Sequence, residues 1–153
     1  MEDFGVNEIH SLDELKDQYE RLEWDVLVET EESIRSEWLI SFPYDYFGSN
    51  SVVAIDTDEF TAVCPWTALP DFGSLKIEYN PSRHCLELKS LKYYLLSFRD
   101  VGIVQEHVAN RILKDLVAAC NPVWMTISLD YKTRGGIHTV VQSKYGNHEA
   151  IFD

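Results

Sequence analysis

From Gly73 to Tyr79 the chain alternates. Leu75, Ile77 and Tyr79 fall on one side, and Ser74, Lys76 and Glu78 fall on the other. A period of two predicts a half-buried strand, and Asn80-Pro81 stops it. Trp124 to Tyr131 repeats the pattern, with Trp124, Thr126, Ser128 and Asp130 opposite Met125, Ile127, Leu129 and Tyr131. Ser51 to Ile55 reads as another strand, after a breaker cluster of Gly48, Ser49 and Asn50. Phe60–Val63 reads as the edge of a loop. Ile137 to Gln142 reads as the last strand, entered through the turn Arg134-Gly135-Gly136.

Between the strand groups the period changes. Leu88, Leu91, Leu95 and Phe98 sit at i, i+3, i+7 and i+10, a stripe that predicts a core-facing helix. Lys89 and Lys92 lie three apart on a displaced face. A second helix is expected from Ile103 to Cys120, with Val104, Val108, Ile112, Leu116 and Val117 inward and Asn121-Pro122 as its end. Glu106 falls in line with Leu113 and Val117, so partial enclosure is expected for it. Near the start, Ser11-Leu12-Asp13-Glu14 has the capping-box pattern and opens a charged helix to about Trp24. Strands, two helices, then strands make an α+β layout, an antiparallel sheet covered by helices on one face. The uncovered face is expected to meet another subunit, which makes the protein a homo-oligomer with sites between subunits.

Composition narrows the class. A chain of 153 residues is long enough for one domain with a real core. No apolar run approaches the ~18 residues of a membrane span, and the acidic start Met-Glu-Asp-Phe-Gly is not a secretory signal. A cytoplasmic location is therefore expected, with no membrane partner. The net charge of −13 disfavours direct nucleic-acid binding. That charge is uneven, however. Residues 1–34 hold 12 of the 26 acids against Lys16 and Arg21 only, a net of −10. The rest carries −3 and has room for a local basic site. Three cysteines without a C-x-x-C pair fit neither a disulfide framework nor a ribbon-type zinc site.

The candidate chemistry starts at Cys64, bracketed by Pro65 and Pro70 in a turn-prone loop, with Asp71 seven residues on. A loop thiol can be reached, and a nearby acid can move protons while sulfur carries a covalent bond. Alone, Cys64 reads equally as an inert buried thiol, Glu87 as a solvated first-turn helix acid, and Lys89 with Lys92 as a solvated face. Arg134 before two glycines is more suggestive, since glycine lets backbone amides approach an anion. No G-x-G-x-x-G occurs, which argues against a Rossmann site.

Three segments, taken in order, closely resemble the single-module form of the NADPH-dependent 7-cyano-7-deazaguanine reductase family, tunnel-fold enzymes of queuosine biosynthesis. They are Glu59-Phe60-Thr61-Ala62-Val63-Cys64-Pro65 with Pro70-Asp71-Phe72, then Glu87-Leu88-Lys89-Ser90-Leu91-Lys92-Tyr93-Tyr94, then Ser97-Phe98-Arg99 with Glu106 and Arg134-Gly135-Gly136. The likeness runs from about Ser41 to Val141. It implies a tunnel-fold domain over 38–153, assembling as an oligomeric barrel, behind a partly helical acidic segment, 1–37. It also implies a small-molecule nitrile as substrate, with NADPH as reductant and no metal.

By the same resemblance Cys64 is the nucleophile that forms a thioimidate, and Asp71 is the proton donor. Leu86, Glu87, Leu88, Gln105 and Glu106 line the base pocket, and Lys89, Lys92 and Arg134 contact the cofactor. Glu106 suits a guanine-like edge, because a carboxylate can accept from two adjacent N–H groups. Two positions depart from the family pattern. Ala68 stands where the family usually has glycine, a change that strains the backbone only if φ is positive there. Gln105 stands where the family often has histidine, and His107 follows instead. Other readings of the residues are a zinc-dependent cyclohydrolase of the same fold, a purine-binding module without catalysis, and a nitrile-hydrolysing cysteine enzyme. For the cyclohydrolase, His84 and Cys85 are poor co-ligands, being adjacent on a strand.

Overall fold

The elements of the computed structural model, which describes residues 9–21 and 27–147, follow in chain order. They are α1 (Leu12–Arg21), β1 (Ser41–Pro43), β2 (Val53–Val63), β3 (Pro70–Asn80), β4 (His84–Leu86), α2 (Leu88–Leu96), α3 (Gln105–Cys120), β5 (Trp124–Tyr131) and β6 (Val140–Gly146). Short 3₁₀ turns lie at Glu31–Ser33 and Ser36–Trp38.

Alternation builds the main sheet as expected. It is antiparallel, in the order β2-β3-β5-β6. Leu75, Ile77 and Tyr79 face Leu129, Ile127 and Met125, in that order, across the ladder on the buried side. The other side carries Ser74, Lys76, Glu78, Thr126, Ser128, Gln142 and Lys144, which gives it a polar surface. α2 and α3 cover the apolar side, so helices on one face of an α+β sheet is the observed architecture.

β2 differs from the sequence reading. It is one continuous strand of 11 residues, beginning after Ser51 and Val52 and running through Phe60–Val63. Its register slips between Thr57 and Phe60: Thr57 pairs Leu75 and Phe60 pairs Gly73. The extra residue is a β-bulge at Asp58-Glu59, which interrupts the alternation and hides the strand's continuity. β6 begins at Val140, not Ile137. Arg134 and Ile137 exchange backbone hydrogen bonds at 3.0 Å across Gly135-Gly136, so Ile137 closes the turn and ladder pairing resumes later. Gly135 and Gly136 both have positive φ, at 59° and 78°.

Helix faces are also adjusted. In α2 the buried residues are Ser90, Leu91 and Tyr94, with Phe98 just beyond. Leu88, expected in the core, is 60% exposed, since it opens the helix beyond the sheet's cover. Tyr94 replaces it inward because its hydroxyl finds a partner, donating to Asp115 Oδ2 at 2.8 Å. In α3, Val108, Ile112, Leu116 and Cys120 form an i+4 stripe with Ala109 beside it, while Val104 is the N-cap. Asn121 ends the helix in the left-handed region. Glu106 is exposed, not enclosed: Leu113 and Val117 on the same line are half-covered, but the first turn projects past them.

α1 is held at its start by Ser11 Oγ, which accepts from Glu14 N at 3.1 Å, and it buries nothing. The expected continuation of this helix to Trp24 lies outside the described residues. The segment before β1 is tied to the body. Glu29 N donates to Asp100 O, Gly102 N donates to Glu29 O, and Ile34 is in the core. Gly102 permits this, since Val28 fills the space a Cβ would take.

Asp115 is the polar knot of this layer. It accepts from Tyr94 and from Arg111 Nε, both at 2.8 Å, and Arg111 reaches Glu31 at 3.6 Å. Asp115→Ala is expected to cost about 3 kcal/mol by urea denaturation, because it strands a buried hydroxyl and a half-buried cation. Asp115→Asn, which keeps an acceptor for Tyr94, costs less. Equal and small losses would mean the knot contributes little.

The β2–β3 turn gives a second test. Cys64 N donates to Leu69 O, and Ala68 N to Cys64 O, both at 2.9 Å, and Ala68 sits at φ 56°. Side chains in that region cost roughly 1–2 kcal/mol, and glycine does not. Ala68→Gly should therefore raise stability by about 0.5–1 kcal/mol after the added unfolded-state entropy is subtracted. A lower melting temperature would contradict the strained turn.

Candidate active site

Pro65 has a fixed φ and no N–H, so the first backbone donors after Cys64 belong to Trp66 and Thr67. Arg134 Nη2 lies 3.8 Å from Cys64 Sγ. Burial is the largest single influence and pushes the thiol up. The Thr67 hydroxyl, the Trp66 and Thr67 N–H groups and Arg134 together outweigh it, leaving Cys64 below the ordinary thiol value. The loop thiol was expected to stand open. It is only 5% exposed, because the hairpin turn folds over it.

Asp71 is the second residue of β3, opposite Ala62 and on the helix-facing side. It is 6% exposed, and its Oδ1 accepts from Arg134 Nη1 at 2.7 Å. Arg134 thus reaches both Cys64 and Asp71 from the turn after β5. The resemblance gave it to the cofactor; the structure puts its guanidinium between the thiol and the acid.

Tyr131 was not singled out by the sequence reading. It ends β5 on the buried side, and its hydroxyl donates to Gln105 O at 3.2 Å. Burial first, then the negative charges of Asp71 and Glu106, push its phenol up. The first turn of α3, with Gln105 and Glu106, therefore borders the Cys64–Asp71–Arg134 group. The only signal for Tyr131 was its place on the apolar side of β5. Thr67 stood inside the loop motif with no role assigned.

The remaining site candidates lie elsewhere. Glu87 is the N-cap of α2. Its Oε1 accepts from Lys89 N at 2.8 Å and its Oε2 from Ser90 N at 2.7 Å. The Ser90 and Lys89 amides hold its carboxyl below the usual carboxylate range. Glu87 and Lys89 line a cleft of about 600 Å³ with Trp38, Ile40 and Tyr93. Leu88 and Lys92 line another, about 330 Å³, with Leu91, Leu95, Phe60 and Arg99. Neither cleft is lined by Cys64, Asp71 or Arg134. The Leu86 side chain is buried, and its backbone N–H donates to the Tyr79 hydroxyl at 3.0 Å. On β4, His84 is exposed and Cys85 buried, on opposite sides as adjacent strand residues must be.

A family model described as QueF-like protein matches residues 70–150, a span that holds Asp71, both lysines and Arg134. An NADPH-dependent 7-cyano-7-deazaguanine reductase of Caldicellulosiruptor bescii is 47% identical over 131 residues, covering 86% of this chain and 98% of that protein. The protein of the same name from Thermoanaerobacter pseudethanolicus is 52% identical over 114 residues, 74% of this chain and 86% of its own. Among solved structures, the apo archaeosine synthase QueF-Like superposes with a TM-score of 0.60 at 26% identity, over 65% of this chain and 97% of that one. Likeness of that extent to whole relatives shows that the chain belongs to the family of NADPH-dependent 7-cyano-7-deazaguanine reductases and QueF-like proteins.

Proposed function

We propose that this chain is an NADPH-dependent nitrile reductase that converts 7-cyano-7-deazaguanine to 7-aminomethyl-7-deazaguanine, on a tunnel fold and through a covalent intermediate on Cys64. The observation that carries the reading is a thiol held below its ordinary value, with a buried carboxylate joined to it by one guanidinium, in a member of this family. A module that only binds purines has no use for such a thiol. For a zinc-dependent cyclohydrolase, His84 and Cys85 point apart.

The residues supply a balanced route. The Cys64 thiol gives up its proton, and the thiolate adds to the nitrile carbon. A C–S bond forms as one C–N π bond opens, and Asp71 passes the proton to nitrogen. After one hydride reaches carbon, the C–S bond breaks and sulfur leaves as the thiolate, giving an imine. A second hydride and proton give the amine. In all, one nitrile consumes two NADPH and two protons.

NADPH, when bound, supplies the two hydrides. The residues fit a phosphate-bearing cofactor. Lys89 and Lys92 are exposed, and Lys92 rims a cleft with an apolar floor. Gly135 and Gly136 have no neighbour within 4 Å on the side a Cβ would occupy, which leaves their backbone open to an anion. Leu86, Glu87, Leu88, Gln105 and Glu106 stand as the base pocket in this reading, with Glu106 accepting from the guanine-like edge.

We further propose a homo-oligomer with sites between subunits. The 11-residue edge strand β2 and the opposite edge β6 each have one ladder partner in the sheet, and long edges are protected by pairing. The two clefts beside α2 and the Cys64 group then become walls of one site. Sedimentation at micromolar concentration should give a species several times the 17.7 kDa chain mass; a monomer alone would overturn this.

The decisive assay mixes purified protein with 7-cyano-7-deazaguanine and NADPH and follows loss of reduced-nicotinamide absorbance. Two NADPH per nitrile are expected for the wild type and none for Cys64→Ala. A slow Cys64 adduct without NADPH loss would keep the pocket and remove the reduction. Neither turnover nor adduct would remove the reading.

A further inference from the structure

The chain enters α3 beside the Cys64 loop. Val63 N donates to Val101 O at 3.0 Å, and Ile103 N donates to Val63 O at 3.1 Å. Val63 is the residue before Cys64. The first turn of α3, at Gln105 and Glu106, therefore opens two residues beyond a backbone bridge to that loop. Its N-cap, Val104, makes no side-chain hydrogen bond. A first turn without a side-chain cap frays readily, because its amides lack partners.

The sheet supplies what the cap lacks. Tyr131 Oη, at the end of β5, donates to Gln105 O at 3.2 Å. Ser143 Oγ, on β6, donates to Asn110 Oδ1 at 2.7 Å, and Asn110 Nδ2 donates to Glu106 O at 3.0 Å. Two consecutive carbonyls of the first turn are thus tied to two neighbouring strands. Tyr131 pairs with Gly73 across the ladder, where a Cβ would lie 3.4 Å from Tyr131 Cδ1 and 3.1 Å from Asp130 O. Glycine there leaves the ring its place. On that face Tyr131 is the diagonal neighbour of Asp71, two residues before Gly73. The ring is 2% exposed, and burial with the charges of Asp71 and Glu106 keeps the proton on its hydroxyl, so it stays a donor.

The Glu106 side chain is exposed, and its carboxylate makes no hydrogen bond or ion pair among the described residues. Its backbone is held while its acceptor atoms are left over, which is what a ligand-holding acid requires. We propose that Tyr131, backed by the Asn110–Ser143 pair, is the positioning residue that fixes Glu106 relative to Cys64 and Asp71, by anchoring the first turn of α3 to the sheet. The inference deepens the nitrile-reductase reading and rests on it for what Glu106 holds.

The experiment measures amide hydrogen exchange and steady-state kinetics on the full-length chain. Tyr131→Phe deletes the hydroxyl and keeps the ring. Exchange at the amides of residues 107–110 should be about fivefold faster, the worth of one ordinary hydrogen bond. Amides in the middle of β3 and β5 should keep their wild-type rates. KM for 7-cyano-7-deazaguanine should rise about fivefold with kcat little changed, the pattern of lost ground-state binding. If Tyr131→Phe does not fold by circular dichroism, Ser143→Ala is measured in its place and read by the same criteria.

Unchanged exchange at residues 107–110 overturns the proposal. So does an equal acceleration throughout the sheet, which would assign the hydroxyl to general stability. An unchanged KM, where the wild type turns the nitrile over, also overturns it. A wild type without turnover would remove the reductase reading and leave the exchange measurement to judge the anchor alone.

Discussion

A carboxylate taken out of water needs a counter-charge, and Asp71 has one in Arg134. Asp71 lies on β3, Cys64 on the turn before it, and Arg134 on the turn that follows β5. The guanidinium is about half exposed and the carboxylate almost wholly buried, so the pair sits at the margin of the core with its open side toward solvent. One interaction therefore sets the spacing between two turns of the sheet and gathers thiol, acid and cation at one end. Tyr131, which feels the charge of Asp71, links this end to the first turn of α3.

The pair could not include Cys64 without the bulge in β2. Before it, odd-numbered residues (Val53, Ile55, Thr57) face the helices; after it, even-numbered ones (Phe60, Ala62) do. A shift of one residue exchanges the two faces of a strand. With an unbroken ladder, the chain leaving β2 would carry Cys64 toward the polar face, away from Asp71. The extra residue costs one rung and turns the Cys64 loop to the acid's side. The loop then folds tightly enough to require a left-handed residue, which this chain fills with alanine.

Much of this was legible in the chain. Alternation in β3 and β5 and the 3.6-residue stripe of α3 carried the architecture. The Cys64–Asp71 spacing pointed to two residues of the candidate site, while Arg134, read as a cofactor contact, lies against both of them. What escaped has a common cause: it depends on neighbours that a local pattern does not contain. A bulge erases alternation, so β2 read as two pieces. Leu88 fits the stripe but lies beyond the sheet that would cover it. Tyr94 breaks the stripe yet is buried, because Asp115, far along the chain, accepts its hydroxyl. Glu87 has a cap's position and a cap's hydrogen bonds, and sequence alone could not separate that from a ligand contact. The φ of Ala68 is a property of the closed turn, not of the residue.

In the homo-oligomer proposed above, one chain supplies the Cys64 group and a second completes the site. Around it Trp66 is 84% exposed, and Leu69, Phe72 and Ile137 also show apolar surface. Hydride transfer to a polarised C–N bond is served by a site from which water is kept out. The described residues bury the sulfur and the carboxylate and leave Trp66 open two residues beyond the thiol. The clefts with Lys89 and Lys92 are lined by other residues. Apolar side chains at a polar centre, lysine-bearing clefts of mixed charge on a different flank and sheet edges with one ladder partner each are complementary deficits. Each is remedied if one copy's exposed loop meets the flank of another, as in the homo-oligomer proposed above. On that reading the exposed Trp66 is a contact waiting for its partner, and the fold of one chain prepares half of each site.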